Sequence, residues 1–212
     1  AGRWMGRGDK NAADQAAVDA MRLILNIIEM DGMIVIGEGE KDEAPMLYNG
    51  ERLGTGSPPE VDIAVDPIDG TSLTARGSSG ALSVVALAPR GAMYAPGKLV
   101  YMDKIAVGPE AAGSIDIDAT VEVNLKNIAR ARRRDVNDLT VMILDRPRHA
   151  GLIKEVRATG ARIRLINDGD VAAAISTSTD CRSISLMIGE DRRRVAWLPA
   201  FALKCLSGEI RC

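Results

Sequence analysis

Val61-Asp62-Ile63-Ala64-Val65-Asp66-Pro67-Ile68-Asp69-Gly70-Thr71 is the stretch whose reading decides the fold. Its first half nearly alternates apolar and polar residues, as a strand does. Pro67 removes a backbone donor and Gly70 permits a turn, so the strand is expected to stop at this point. Two carboxylates then stand at a strand end, with the Thr71 hydroxyl and a helix N-terminus just behind them. Hard divalent cations take oxygen ligands, and phosphates take backbone N–H groups and the positive end of a helix. One turn can supply both. A solvated Asp-Pro…Asp-Gly turn accounts for the same residues, and the stretch alone leaves both readings open.

Working outward on the N-terminal side, Asn11 or Asp14 is placed to cap a helix running to about Met30. Val18, Met21, Leu25 and Ile28 recur at helical spacing, and Gly32 is the expected stop. Asp14 is either a partner of that helix dipole or a ligand. Residues 33–36 read as a short buried strand ending in Gly37-Glu38-Gly39-Glu40, where flanking glycines let a carboxylate approach an ion closely. A solvated acidic loop is the alternative.

On the C-terminal side, a short helix over 72–76 and a Gly77-Ser78-Ser79-Gly80 loop lead to strands at 81–88 and 98–107. Glycine and proline over 89–97 predict a hairpin turn between these strands. Tyr101 on the second is a core residue by default, or a substrate contact. An amphipathic helix is predicted over 121–134, with Arg130-Ala131-Arg132-Arg133-Arg134 as a solvated face at its end. From Thr140 the pattern is strand (141–144), helix (149–159), strand (162–166) and helix (from 171), which implies a second α/β layer. Its strand ends carry Arg146, Arg148, Asp168 and Asp170, where open α/β sheets hold ligands. No repeat or low-complexity linker is present. A boundary within 115–138 is expected, dividing the chain into parts 1–115 and 116–212.

Composition narrows the function class. With 46% hydrophobic residues and net charge −2 over 212 residues, the chain can bury one sizeable core or two small ones, and nucleic acid is not the expected partner. Aromatics are only 3%, so packing relies on aliphatic residues. No apolar run is long enough to predict a membrane span. The start is unlike a signal peptide, and the chain is expected to lack its natural N-terminus. Cys181, Cys205 and Cys212 have no metal-ligand spacing, and their odd number predicts reduced thiols in a cytosolic or plastid-like compartment.

Asp66-Pro67-Ile68-Asp69-Gly70-Thr71 resembles the signature of the lithium-sensitive, metal-dependent sugar phosphatase superfamily. Longer strings narrow the resemblance to the class II fructose-1,6-bisphosphatases: Trp4-Met5-Gly6-Arg7-Gly8-Asp9-Lys10-Asn11-Ala12-Ala13-Asp14, then Ile36-Gly37-Glu38-Gly39-Glu40-Lys41-Asp42-Glu43-Ala44-Pro45-Met46-Leu47-Tyr48. Asp145-Arg146-Pro147-Arg148-His149 and Asp168-Gly169-Asp170-Val171-Ala172-Ala173 continue it, so that it runs from about the first residue to Thr177. It implies a layered αβαβα sugar-phosphatase fold, here a truncated core. The first part would bind metal and phosphate. The second would bind the sugar phosphate and be incomplete at its C-terminus.

The implied reaction is hydrolysis of the 1-phosphate of fructose 1,6-bisphosphate, in gluconeogenesis or the Calvin cycle, with sedoheptulose 1,7-bisphosphate as a second substrate. By resemblance, Asp14 and Glu38 hold one Mn²⁺ or Mg²⁺ ion, while Asp66 and Asp69 hold another. Crowded carboxylates repel one another severely unless cations neutralise them. Asp42 is the candidate for polarising the attacking water, with Glu40 or Thr71 in support. Asp69, Gly70 and Thr71 would cradle the transferred phosphate. Arg146 and Arg148, with Pro147 between them, would clamp the second phosphate through bidentate contacts. Asp168 and Asp170, flanking Gly169, would accept hydrogen bonds from sugar hydroxyls, with Tyr101 nearby. His149, the sole histidine, excludes a multi-histidine metal site and reads as a helix-start residue. A homo-oligomer and a cytoplasmic or plastid location are implied too.

The stretch 188–201 departs from the family. Members carry a glycine-rich turn followed by Pro-Glu-Gly, whose glutamate is a metal ligand. This chain has Ile188-Gly189-Glu190-Asp191-Arg192-Arg193-Arg194-Val195-Ala196-Trp197, and Pro199 is expected to interrupt the helix behind it. A paired shift of reading frame is the suspected origin, to be checked on the coding sequence, because codons for Arg-Arg-Arg-Val read from a different base can spell Pro-Glu-Gly. Two other readings follow: a catalytically impaired sugar-phosphate-binding protein, or an inositol-monophosphatase-like enzyme. The Arg146-Pro147-Arg148 clamp argues against the latter, since a monophosphate needs no distal site.

Overall fold

The computed structural model describes residues 1–38, 46–94, 101–179, 183–192 and 194–212, side chains excepted at 191–197. The chain divides into two compact units, Ala1–Lys98 and Leu99–Cys212. The architecture is α/β, with a mixed sheet in each unit.

In the first unit, helix α1 (Lys10–Leu25) is capped by Asp9, whose Oδ1 accepts from the Ala12 N–H at 3.0 Å. The cap is therefore neither Asn11 nor Asp14, both of which are already inside the helix. An extended Asp9 directs its carboxylate at the first open amides. The helix ends at Leu25, and the next residue, Asn26, accepts the Gly54 N–H through Oδ1 at 3.3 Å. Ile28 consequently lies beyond the helix and is 40% exposed. Gly32 does not stop α1. It lies in strand β1 (Asp31–Ile36), where a Cβ would stand 2.5 Å from Ile63 Cδ1 and 2.9 Å from the Leu53 carbonyl.

Strands β2 (Arg52–Leu53) and β3 (Glu60–Asp69), helix α2 (Thr71–Arg76) and strand β4 (Leu82–Pro89) complete this unit. The sheet order is β2-β1-β3-β4, with β1 and β3 parallel and the outer pairs antiparallel. Strand β3 does not stop at Asp66. It continues through Pro67 because the register shifts between Asp66, opposite Val84, and Asp69, opposite Leu82. Such a bulge absorbs the donor that proline lacks. Asp62, polar in an apolar strand, is buried and accepts the Gly91 and Met93 N–H groups at 2.8 and 3.1 Å. Val18 and Leu25 of α1 pack on Ile34, Ile63 and Val65 to form the core.

The second unit comprises β5 (Tyr101–Val107), α3 (Val121–Ala131), β6 (Thr140–Leu144), α4 (Ala150–Ala158), β7 (Arg162–Ile166), α5 (Asp170–Thr179), β8 (Leu186–Arg192), α6 (Arg194–Cys205) and β9 (Glu209–Arg211). Its sheet order is β7-β6-β8-β5-β9. The expected β4–β5 hairpin does not form, because β4 pairs with β3 while β5 pairs with β8 and β9. That pairing also places 101–115 in the second unit, so the division falls at 98/99 where the sequence suggested 115/116.

Strand alternation splits this unit's core between two faces of the sheet. Ile105, Val141, Ile143 and Leu186 pack with α3 and α4 through Leu125, Ile128, Ile153 and Val156. Ala106, Met142 and Met187 pack with α5 and α6 through Ala173, Ala174 and Leu203. Two sequence expectations change here. Arg132 is not part of a solvated face: its side chain is 3% exposed, with Nε 3.1 Å from Glu110 Oε2. Helix α6 runs through Pro199 without breaking, since burial of Leu198 and Leu203 offsets the lost backbone hydrogen bond.

Candidate active site

Because β1 and β3 are parallel, their C-terminal ends leave the sheet at the same edge. Asp66 and Asp69 lie there on the bulged end of β3, both buried. Gly70 follows in a left-handed conformation (φ 88°), and its carbonyl accepts from the Leu73 and Thr74 N–H groups at 2.9 and 3.1 Å. That turn makes Thr71 the first residue of α2, one residue before the 72–76 helix the sequence predicts.

Glu38 lies just past β1, with its N–H on the Leu47 carbonyl at 2.8 Å. The Gly37 N–H donates to Asn49 Oδ1 at 2.7 Å, and a Cβ at Gly37 would meet the Leu47 carbonyl at 2.3 Å. Only glycine permits that approach. Asp14 sits on α1, whose Ala13 and Ala17 pack against Ile68 inside the Asp66–Asp69 turn. Asp14 Oδ1 and Glu38 Oε2 are buried from solvent. The four carboxylates thus belong to elements that meet at one sheet edge. All-oxygen, sheltered donors suit a hard divalent cation in chemistry. Among the described residues, no three acidic, histidine or cysteine side chains stand close enough together to hold an ion. Asp42 and Glu40 lie in 39–45, outside the described residues.

A feature the sequence did not signal steadies this edge. Arg22 on α1 pairs with Glu51 through Nε–Oε1 at 2.6 Å and Nη2–Oε2 at 3.2 Å, and Nη2 also donates to the Met46 carbonyl at 2.8 Å. Glu51 Oε2 accepts the Tyr48 N–H at 3.3 Å as well. The chain from Met46 to Glu51 is thereby tied to the helix bearing Asp14.

In the second unit, β6, β7 and β8 run parallel and β5 antiparallel to β8. The C-terminal ends of the first three and the N-terminal end of β5 therefore share one edge. Arg146, Pro147 and Arg148 follow β6, Asp168 and Gly169 follow β7, Asp170 opens α5, and Tyr101 opens β5. Tyr101 is 46% exposed, so it is not a core residue. The Arg148 guanidinium lies 5.4 Å from the centroid of its ring, and Nε and Nη2 donate to the Glu190 carbonyl at 3.1 and 2.9 Å. Arg146 is half-buried, with Nη1 on the Asp145 carbonyl at 3.2 Å.

The two aspartates of Asp168-Gly169-Asp170 differ in setting. Asp168 is half-buried and accepts the Gly169 N–H through Oδ1 at 3.2 Å, with Gly169 at φ 83°. Asp170 is buried, and its Oδ2 accepts from Lys104 Nζ at 2.7 Å. Lys104 escaped the sequence reading, although a lysine directly before Ile105-Ala106-Val107 in a buried strand was its signal. His149 starts a helix as expected, yet its ring is buried against the ends of β6 and β8.

The family model described as bacterial fructose-1,6-bisphosphatase, glpX-encoded, matches residues 1–212, and so extends past Thr177 and through 188–201. The chain is 47% identical over 209 residues to fructose-1,6-bisphosphatase 1 class 2 of Escherichia coli strain K12, covering 98% of the chain and 62% of that relative. It is 45% identical over 224 residues to the D-fructose 1,6-bisphosphatase class 2/sedoheptulose 1,7-bisphosphatase of Synechococcus sp. strain JA-2-3B'a(2-13), covering 100% of the chain and 64% of that relative. The chain spans a little under two thirds of the length of these curated relatives. With this likeness running through both the carboxylate edge and the arginine edge, the chain belongs to the bacterial, glpX-encoded fructose-1,6-bisphosphatase family.

Proposed function

We propose that this chain is the core of a metal-dependent phosphatase that converts fructose 1,6-bisphosphate to fructose 6-phosphate and phosphate. The observation that carries this reading is the meeting of the Glu38 and Asp66–Asp69 segments at one parallel-strand edge, in a chain of this family. Sedoheptulose 1,7-bisphosphate is the proposed second substrate, in line with the name of the Synechococcus relative.

Asp14 and Glu38 would hold one cation, Asp66 and Asp69 the other. Bound there, Mg²⁺ or Mn²⁺ would supply Lewis acidity and a more acidic water. Asp42 orients the attacking water, and Thr71 with the Gly70 turn donates hydrogen bonds to the reacting phosphate. Arg146 and Arg148 hold the distal phosphate, Arg148 being aligned by the Tyr101 ring and the Glu190 carbonyl. Asp168 and Asp170 accept hydrogen bonds from sugar hydroxyls, Asp170 with Oδ2 already held by Lys104. No described helix is long and apolar enough to cross a membrane. A cytoplasmic homo-oligomer is part of the same proposal.

Phosphate release from fructose 1,6-bisphosphate by the purified chain with Mn²⁺ tests the reading, and metal-dependent turnover is the expected result. Arg192-Arg193-Arg194 favours a second reading, because cations there replace the carboxylate turn that the resemblance implies. Tight bisphosphate binding without turnover would select that reading, an impaired sugar-phosphate-binding protein.

A further inference from the structure

His149 makes its bonds in two directions. Its Nδ1 lies 2.7 Å from the Leu144 carbonyl, the last residue of β6, and its Nε2 lies 3.0 Å from the Glu190 nitrogen and 3.1 Å from the Glu190 oxygen on β8. A carbonyl oxygen can only accept, and of the two carbonyls the Leu144 one is nearer while the Glu190 one already takes two Arg148 donors, so the proton is assigned to Nδ1. Neutral Nε2 then accepts the Glu190 N–H. The ring is 3% exposed. Gly189 leaves room for it, since a Cβ there would stand 3.1 Å from His149 Cε1. The backbone joins in: the His149 N–H donates to the Arg146 carbonyl at 2.9 Å, closing the turn that carries both arginines.

The neighbouring side chain grips the backbone of the same residue. Arg148 donates twice to the Glu190 carbonyl while its guanidinium covers the Tyr101 ring. The position of the Glu190 backbone therefore sets where the Arg148 guanidinium rests, and His149 holds that backbone at its N–H. We propose that His149 is a positioning residue for the distal-phosphate clamp: its Nδ1–H tautomer pins β6 to β8 and so aims Arg148. This role rests on the reading of Arg146 and Arg148 as phosphate ligands.

The chain has a single histidine, so its imidazole ¹⁵N resonances report this site without further assignment. The full chain, labelled at histidine, is expected to show the Nδ1–H tautomer, with resonances that move on adding fructose 1,6-bisphosphate. His149→Gln, which keeps an acceptor for the Glu190 N–H, is expected to bind the bisphosphate nearly as well as wild type. His149→Ala is expected to weaken bisphosphate binding about two- to tenfold, the worth of a neutral hydrogen bond, and to leave fructose 1-phosphate unaffected. A merely structural histidine moves both ligands together, so an equal loss for both overturns the role, as does an Nε2–H tautomer. If His149→Ala fails to fold by circular dichroism, the tautomer and the ligand-induced shift in the wild-type chain decide the matter. Absence of bisphosphate binding by the wild-type chain, with Mn²⁺ present, overturns the phosphatase reading and this role with it. Normal wild-type binding that His149→Ala leaves unchanged overturns the role alone.

Discussion

Lys104 Nζ donates to Asp170 Oδ2 at 2.7 Å, joining a lysine of β5, the fourth of five strands, to the first residue of a helix laid on the sheet, with both side chains shielded from water. Removing one partner of such a pair leaves an uncompensated buried charge, which costs about 3–5 kcal/mol. Asp170→Asn and Lys104→Met are each expected to lose that much in urea denaturation. The double variant Lys104→Met with Asp170→Leu is expected to regain most of it. Single-variant losses below about 1 kcal/mol would show that the pair does not bear on stability.

Arg148→Ala is expected to weaken fructose 1,6-bisphosphate binding by roughly ten- to a hundredfold, since a hydrogen bond to a charged group is worth about 1.5–3 kcal/mol. Binding of fructose 1-phosphate is expected to change little. Arg148→Lys does not restore the loss, because an ammonium cannot make both the stacked contact and the fork-like one. Calorimetric titration of both ligands checks this. Equal losses would place Arg148 at the reacting phosphate.

Asp66→Asn and Glu38→Gln are expected to abolish Mn²⁺-dependent phosphate release and to remove the rise in Tm that Mn²⁺ confers. Without metal, their Tm values are expected to stay at or above wild type, because carboxylate repulsion at the sheet edge is relieved. Near-normal turnover in either variant at saturating metal would end the two-metal proposal.

Glu51→Ala is expected to destabilise the first unit by about 1–2 kcal/mol, a value below that of a fully buried charge pair because Arg22 stays partly hydrated. Limited proteolysis is expected to cut within 46–51 faster in this variant, since the Glu51 tether to α1 is gone. Unchanged cleavage would confine the pair to a surface role.

Replacing 190–195 with Gly-Gly-Thr-Pro-Glu-Gly is expected to raise Mn²⁺-dependent hydrolysis over that of the chain as it stands. No gain in metal affinity or turnover would mean that this stretch lacks no ligand.

What could be read from residues alone was the chemistry at strand ends. Asp66 and Asp69 announce a turn, and the parallel placement of β1 and β3 then brings Glu38 to the same edge. Pro67 misled because a bulge, a property of two paired strands, lets a strand continue past it. Gly32 misled for a related reason: it is small because Ile63 and Leu53 crowd it, which no local pattern reveals. Strand partners were the least legible feature, since Tyr101–Val107 has an equally good strand pattern whether it pairs with β4 or with β8. Lys104, His149 and Arg22 act through partners dozens of residues away or on another strand, and local periodicity says nothing of those.

The polarity of the first sheet has a practical side. Every proposed ligand of that unit sits at or beyond the C-terminal ends of β1 and β3, or on the helix beside them. The opposite edge is held by Asp31, which pairs with Arg52 at 3.2 Å and with Arg90 at 3.5 Å, while Gly56 nearby faces open space. Strand β3 separates the two edges by its own ten residues, or about 30 Å. A dye, an affinity handle or an immobilising surface attached around Gly56 would therefore watch or hold the molecule from the far side, out of reach of the chemistry it is meant to report.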